Sequence, residues 1–193
     1  MKLYIDSSTS YLYLALLGDS KKASYLRFGK NDHSETLVDN LAKFLKEQNT
    51  EVNEISEVLI GRGPGSYTGV RIAGTVGKVM CYITKKTLKS FSSLDLLLAS
   101  KLKEDGKYIA KIIAKKNHSY IKAIELINGK INVILDDSFV EDIELEKYQD
   151  YQMIEPSEEV LSTYELAEEI EKNNLTKEES VYDYVPNYLR SGI

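Results

Sequence analysis

What this chain lacks already narrows its chemistry. Its 193 residues include no tryptophan, one cysteine, two histidines and three prolines. The lone Cys81 cannot close an internal disulfide. His33 is followed four positions later by Leu37, so two imidazoles do not share one helix face, and Glu35 does not restore that geometry. His118 stands alone in the turn Lys116-Asn117-His118-Ser119. No metal site is expected. Ser66 and Thr68 have no base nearby in sequence to make either a nucleophile. No apolar run is long enough to cross a membrane, and Asp6 interrupts the stretch where a signal peptide would carry its core. These absences predict a soluble, cytoplasmic protein.

The net charge of −5 conceals an asymmetry. Residues 1–135 carry 21 Lys and Arg against 13 Asp and Glu, a balance of +8. Residues 136–180 carry 3 Lys against 16 acids, a balance of −13. The basic residues are densest at Lys101, Lys103, Lys107, Lys111, Lys115, Lys116, Lys122 and Lys130. They offer an electrostatic surface for an RNA backbone, although no aromatic-and-basic RNA motif accompanies them. The acidic block reads as a solvated face.

Hydrophobic periodicity predicts strands at 3–5, 11–17 and 23–28, a helix at 34–48 and a strand at 58–60. A helix at 68–83, a strand at 88–91 and a helix at 92–102 follow. This β-β-β-α-β-α-β-α order is that of a ribonuclease-H-like lobe. Glu104-Asp105-Gly106 marks a boundary, dividing the chain into lobes 1–103 and 104–193. Beyond it, strands are predicted at 108–114, 119–127, 130–135 and 151–154, and a helix at 163–173. The second lobe reads as a reduced version of the first, and the tail from Tyr182 to Arg190 is expected to dock on a lobe.

The richest stretch runs from Gly61 to Gly74, where glycines and a proline link the apolar Val58-Leu59-Ile60 to a long helix. Glycine serves where backbone must take positive φ or approach another group closely. The stretch has neither the lysine of a Walker loop nor the third glycine of a dinucleotide fingerprint, where Thr68 stands instead. Two uses remain open: a helix entry packed through glycine, or an anion site at the helix start formed by Ser66, Thr68 and Gly69. Asp6 ends the first strand, with Ser7, Ser8 and Thr9 after it. Asp6 reads as a cap on local backbone, with a nucleotide–Mg²⁺ role as the rival. Within the long helix, Val70, Gly74, Gly77 and Cys81 fall opposite a bulky face of Ile72, Val76, Val79 and Ile83. Each mid-helix glycine costs about 1 kcal/mol against alanine, which implies close packing inside the fold or against a partner.

Gly63-Pro64-Gly65-Ser66-Tyr67-Thr68-Gly69-Val70-Arg71-Ile72 resembles the GPGSFTGLRIG signature of the TsaB (YeaZ) family of bacterial tRNA threonylcarbamoyladenosine synthesis. Tyr67, Val70 and Ala73 replace its Phe, Leu and final Gly. Ile5-Asp6-Ser7-Ser8-Thr9 resembles the family's IDTST, His33-Ser34-Glu35-Thr36-Leu37 its HSE-x-L, Ser92-Ser93-Leu94 its SSL and Tyr188-Leu189-Arg190 its YLR. A DAR-x-x-E-type segment found in many members is missing, with Ala114, Lys115, Lys116 and Ser119 in its place.

The resemblance implies two ribonuclease-H-like lobes of the actin/Hsp70/sugar-kinase superfamily, the second reduced. It implies a non-catalytic platform subunit with a TsaD-like catalytic subunit and a TsaE-like ATPase as partners. The complex transfers threonylcarbamoyl from threonylcarbamoyl-adenylate to N6 of the anticodon-adjacent adenosine of tRNA. Docking, and homodimerisation through the same face, map onto Leu37, Leu41, Val70, Arg71, Gly74, Gly77, Lys78 and Cys81. No cofactor is required by this chain on that reading. The alternative is a small ATPase or phosphotransferase of the same superfamily, binding ATP or ADP with Mg²⁺ at Asp6, Ser7, Ser8, Thr9, Ser66, Thr68 and Gly69.

Overall fold

A computed structural model describes residues 1–29 and 32–189. Strands β1 (Lys2–Asp6), β2 (Tyr11–Leu17) and β3 (Lys22–Phe28) form an antiparallel meander. Leu12 to Leu16 are all buried, as the unbroken apolar run predicts for a strand covered on both faces. Helix α1 (His33–Glu47) buries Leu37, Leu41, Phe44 and Leu45. Val38, which falls in the same predicted stripe, lies at its edge and is 59% exposed.

Strand β4 (Glu57–Gly61) runs parallel to β1. It leads through the glycine-rich turn into helix α2 (Tyr67–Thr84). Strand β5 (Thr87–Phe91) is parallel to β4, and helix α3 (Ser93–Leu98) follows, capped by the Ser92 hydroxyl. The predicted helix to 102 stops early, in a 3-10 turn at Ala99–Lys101.

Strands β6 (Gly106–Lys115), β7 (His118–Ile127) and β8 (Lys130–Glu141) make a second meander. Asn128 and Gly129 both take positive φ in the turn before β8, as the predicted Asn-Gly hairpin requires. Strand β8 runs six residues beyond its predicted end, past register shifts that flank Ala123. Strand β9 (Gln152–Ile154) pairs parallel with β6. The short helix α4 (Glu158–Leu161), helix α5 (Glu165–Lys172) and strand β10 (Thr176–Glu179) follow.

Among the described residues, the strands form two sheets, ordered β10-β5-β4-β1-β2-β3 and β8-β7-β6-β9. Helices α1 and α2 cover one face of the first sheet, and α3 and α5 lie between the sheets. The interlayer core joins Tyr4, Tyr13 and Phe91 of the first sheet to Leu94, Leu97, Leu166 and Ile170 of the helices. From the second sheet it takes Tyr108, Ile112, Ile124 and Leu126. These are the two lobes expected for the superfamily.

Strand β10 was missed because Thr-Lys-Glu-Glu reads as polar loop. Its charges suit a solvent-facing sheet edge. It pairs antiparallel with β5, and Ser90 donates to Glu179 at 2.7 Å. A cut between 103 and 104 therefore divides the sequence, whereas residues 176–179 share the first sheet in space.

Candidate functional site

The glycine-rich turn lies on the turn that follows β1. A β-carbon at Gly65 would collide with the Ser8 carbonyl, and one at Gly69 with the Ser7 carbonyl. Gly63 has φ +91°, where only glycine is unstrained. The Ser66 amide donates to the Ser8 carbonyl at 2.6 Å, and the Ser7 hydroxyl donates to the Gly69 carbonyl at 2.9 Å. The Ser66 hydroxyl caps α2 by accepting from the Gly69 amide at 3.2 Å. Of the two uses left open by sequence, backbone packing thus explains the glycines.

Asp6 is buried at the same junction. Its Oδ1 accepts from the Ser8 amide at 2.8 Å and the Ser8 hydroxyl at 2.7 Å, and its Oδ2 from the Ser93 hydroxyl at 2.6 Å. A β-carbon at Gly61 would strike this carboxylate, so glycine is required there too. Burial pushes the Asp6 carboxyl up, against the three hydrogen bonds that pull it down. Thr9 is half-buried, and its hydroxyl accepts from the Tyr11 amide at 3.1 Å. Thr68 is exposed on the first turn of α2. The predicted anion residues therefore do come together, but most of their polar atoms serve one another.

Beside this junction the lobes enclose a cleft of about 890 Å³. Ser8, Thr9, Ser66 and Tyr67 line it from the first lobe, and Lys111, Ile112 and Ile113 from β6. Asn187 and Tyr188 of the C-terminal segment form a further wall. At its mouth the Tyr67 and Tyr188 rings lie 5.3 Å apart, and Arg71 sits over Tyr67 at 4.9 Å. The last residue of the YLR motif, Arg190, lies outside the described residues.

The predicted docking face needs correction. Leu37 and Leu41 are buried against the first sheet, and so are Gly77 and Cys81. A β-carbon at Gly77 would lie 2.6 Å from Ile60 and 3.3 Å from Leu88, so glycine lets the helix approach the strands. Gly74 receives the Tyr184 ring, 2.7 Å from where a β-carbon would stand. Val70 is buried beneath Gly63. The Cys81 thiol donates to the Thr87 carbonyl at 3.4 Å, and burial pushes it up to about 11. Arg71 is exposed and Lys78 half-buried. The small-residue face is occupied inside the chain; of the bulky face, Ile72 and Val76 pack half-buried against the core, while Val79 and Ile83 reach the outer surface. Val79 is 51% and Ile83 71% exposed, with Tyr82 and Val38 beside them in exposure.

His33 opens α1, buried, with Nε2 3.0 Å from the Thr9 carbonyl. His118 is half-buried and stacks on Phe139 at 5.1 Å. No cluster of metal-ligating side chains occurs among the described residues.

Sequence reasoning missed a charged node between the lobes. Lys122 of β7 meets Asp95 of α3 at 2.8 Å, Asp136 at 3.1 Å and Asp137 at 3.9 Å. Asp137 also accepts from the Ser92 hydroxyl at 2.8 Å and from the Asn187 side chain at 3.1 Å. Burial pushes the Asp95 carboxyl up to about 6, although Lys122 pulls it down. Half of the basic stretch is paired with acids within the chain. Lys103 pairs with Glu165, Lys107 with Asp150 at 2.7 Å and Lys111 with Glu155 at 3.1 Å. The charge asymmetry was the available signal: opposite-sign blocks in one compact chain can pair with each other.

Two stacked ribonuclease-H-like lobes around a central cleft define the class, the actin/Hsp70/sugar-kinase superfamily. Residues 27–185 match the family model described as TsaD, tRNA N6-adenosine threonylcarbamoyltransferase. The tRNA threonylcarbamoyladenosine biosynthesis protein TsaB of Bacillus subtilis is 30% identical over 139 residues, 72% of this chain and 61% of that protein. The protein of the same name from Haemophilus influenzae is 24% identical over 124 residues, 63% of this chain and 52% of that one. The matched stretch spans little more than half the length of these curated relatives. YeaZ from Pseudomonas aeruginosa shares the fold, with a TM-score of 0.78 at 19% identity over 97% of this chain and 99% of that one. The chain belongs to the TsaD-related family, among its TsaB (YeaZ) members.

Proposed function

We propose that this chain acts in tRNA threonylcarbamoyladenosine biosynthesis as a cytoplasmic, non-catalytic platform. A TsaD-like subunit carries the transfer of threonylcarbamoyl from threonylcarbamoyl-adenylate to N6 of the anticodon-adjacent adenosine, and a TsaE-like ATPase completes the complex. Family membership supports the pathway. The observation that carries the platform role is the exposed row of Val79, Tyr82 and Ile83 on α2, beside Arg71 and Lys78. Apolar side chains grouped on an outer helix face are typical of a protein-binding surface. The same face serves homodimerisation on this reading.

Depletion of the chain in its host, followed by nucleoside mass spectrometry of total tRNA, tests the pathway. Loss of threonylcarbamoyladenosine, restored by the wild-type chain, is expected. An unchanged level overturns the proposal. Val79→Asp and Ile83→Asp test the face. Each should weaken binding to the TsaD-like partner by about tenfold or more in calorimetry, with the circular dichroism spectrum unchanged. Full affinity in both variants means the face is misassigned.

The interlobe cleft favours a second reading, a small ATPase or phosphotransferase using ATP or ADP with Mg²⁺. Against it stands Asp6, whose carboxylate is buried and already accepts three hydrogen bonds. Micromolar, Mg²⁺-dependent nucleotide binding that disappears in Asp6→Ala would support it.

A further inference from the structure

After β10 the chain turns back across both lobes. The Ser180 hydroxyl holds the turn, accepting from the amides of Tyr182 and Asp183 and donating to the Asp183 carboxylate at 2.8 Å. Tyr184 then drops its ring into the notch at Gly74. Asn187 is pinned twice. Its amide donates to the Arg62 carbonyl of the first lobe at 2.8 Å, and its side chain donates to Asp137 of the second at 3.1 Å. Tyr188 ends on Tyr67 at the cleft mouth. Asn187 and Tyr188 both line the cleft.

Two features set this segment apart from the sheets it touches. Between Tyr184 and Leu189 the backbone donates twice among the described residues: the Tyr184 amide to the Ser180 carbonyl at 2.9 Å, inside the segment, and the Asn187 amide to Arg62, its one backbone bond to either lobe. The Tyr184 hydroxyl is buried without a hydrogen-bond partner among the described residues. A buried hydroxyl that leaves its water bonds unreplaced opposes docking, so the ring is held by packing alone. A segment with few backbone bonds and one imperfect anchor opens separately from the core.

We propose that residues 180–189 form a strap that gates the interlobe cleft. Docked, it closes the wall between Tyr67 and the second lobe. Released, it opens the cleft on that side and bares the Gly74 notch. The Asn187–Asp137 hydrogen bond is the latch. Because Asp137 also holds Ser92 and faces Lys122, the latch reports the relative placement of the lobes. This inference rests on the geometry of the tail and not on the pathway proposed above.

Hydrogen–deuterium exchange of the full chain tests it. In the wild type, the Tyr184 and Asn187 amides should exchange about a hundredfold faster than those of β1 and β4, at a rate insensitive to low denaturant. Asn187→Ala should speed exchange at 182–188 by about tenfold and quicken amine labelling of Lys111, which lines the cleft, leaving β1 and β4 unchanged. Gly74→Ala, which crowds Tyr184, should do the same from the other anchor. Wild-type exchange at 182–188 that keeps pace with the core would show that the segment leaves only on global unfolding, and the strap is then wrong. Release of 182–188 in the variants without faster amine labelling of Lys111 would equally overturn the gating role.

Discussion

At Gly65 and Gly69 a single hydrogen atom decides whether two turns can touch, because the neighbouring group is a backbone carbonyl that cannot rotate aside. Gly65→Ala should therefore destabilise the chain by about 2–3 kcal/mol, read as a shift in the urea midpoint at unchanged slope. The Asp95 carboxyl makes a second residue-scale case. Burial pushes it to about 6, above its ordinary value, so the folded chain holds that proton more tightly than the unfolded chain. Its contribution is fully present below the unfolded value and is lost as pH rises through about 6. Stability should thus gain from this group as pH falls from 7 toward 5. Asp95→Asn should flatten that part of the profile in denaturation series run at each pH. The motifs around Asp6 and Gly69 were legible in the sequence, since both residue types and order survive there. Their partners were not, because Ser93 and Gly61 reach Asp6 only through the sheet.

Helix α2 shows how periodicity fixes an element and its faces while leaving open what each face meets. Its span and its two faces follow from a period of 3.6 residues. Which face turned inward depended on the distance between helix and sheet. Glycine allows the close approach, and so the end of the bulky face, Val79 and Ile83, was left outside. Gly77→Leu should consequently cost about 3 kcal/mol or more of folding stability, because Ile60 and Leu88 already fill the space. Loss of partner binding in that variant would follow from unfolding, whereas Ile83→Asp should leave the thermal midpoint close to wild type. Strand β10 is the opposite case. Its polar sequence carries no strand pattern, and only the free edge of β5 made it a strand.

For the whole molecule, the node at Lys122 joins helix α3, strands β7 and β8, and the C-terminal segment. Lys122→Ala leaves Asp95 and Asp137 buried without their cation and should cost about 3–5 kcal/mol. Lys107→Ala removes an exposed pair and should cost less than about 1 kcal/mol. Parallel denaturation curves of the two variants compare them directly. Equal effects would mean that the node adds nothing beyond an ordinary surface pair.

Local pattern by itself determined most of the strands and helices of this chain, the glycine-dependent turn, the mismatch with metal and phosphate motifs, and the family. Those depend on residues close in sequence, where periodicity and turn chemistry act. Tertiary structure alone decided that the glycine face of α2 meets the sheet and that Asp6 is sealed by Ser93. It also decided that Lys103, Lys107, Lys111 and Lys122 of the basic stretch pair with acids distant in sequence, and that the tail spans the cleft. Each of these joins residues distant in sequence, and burial and charge acquire their sign only when the partner across the gap is in place.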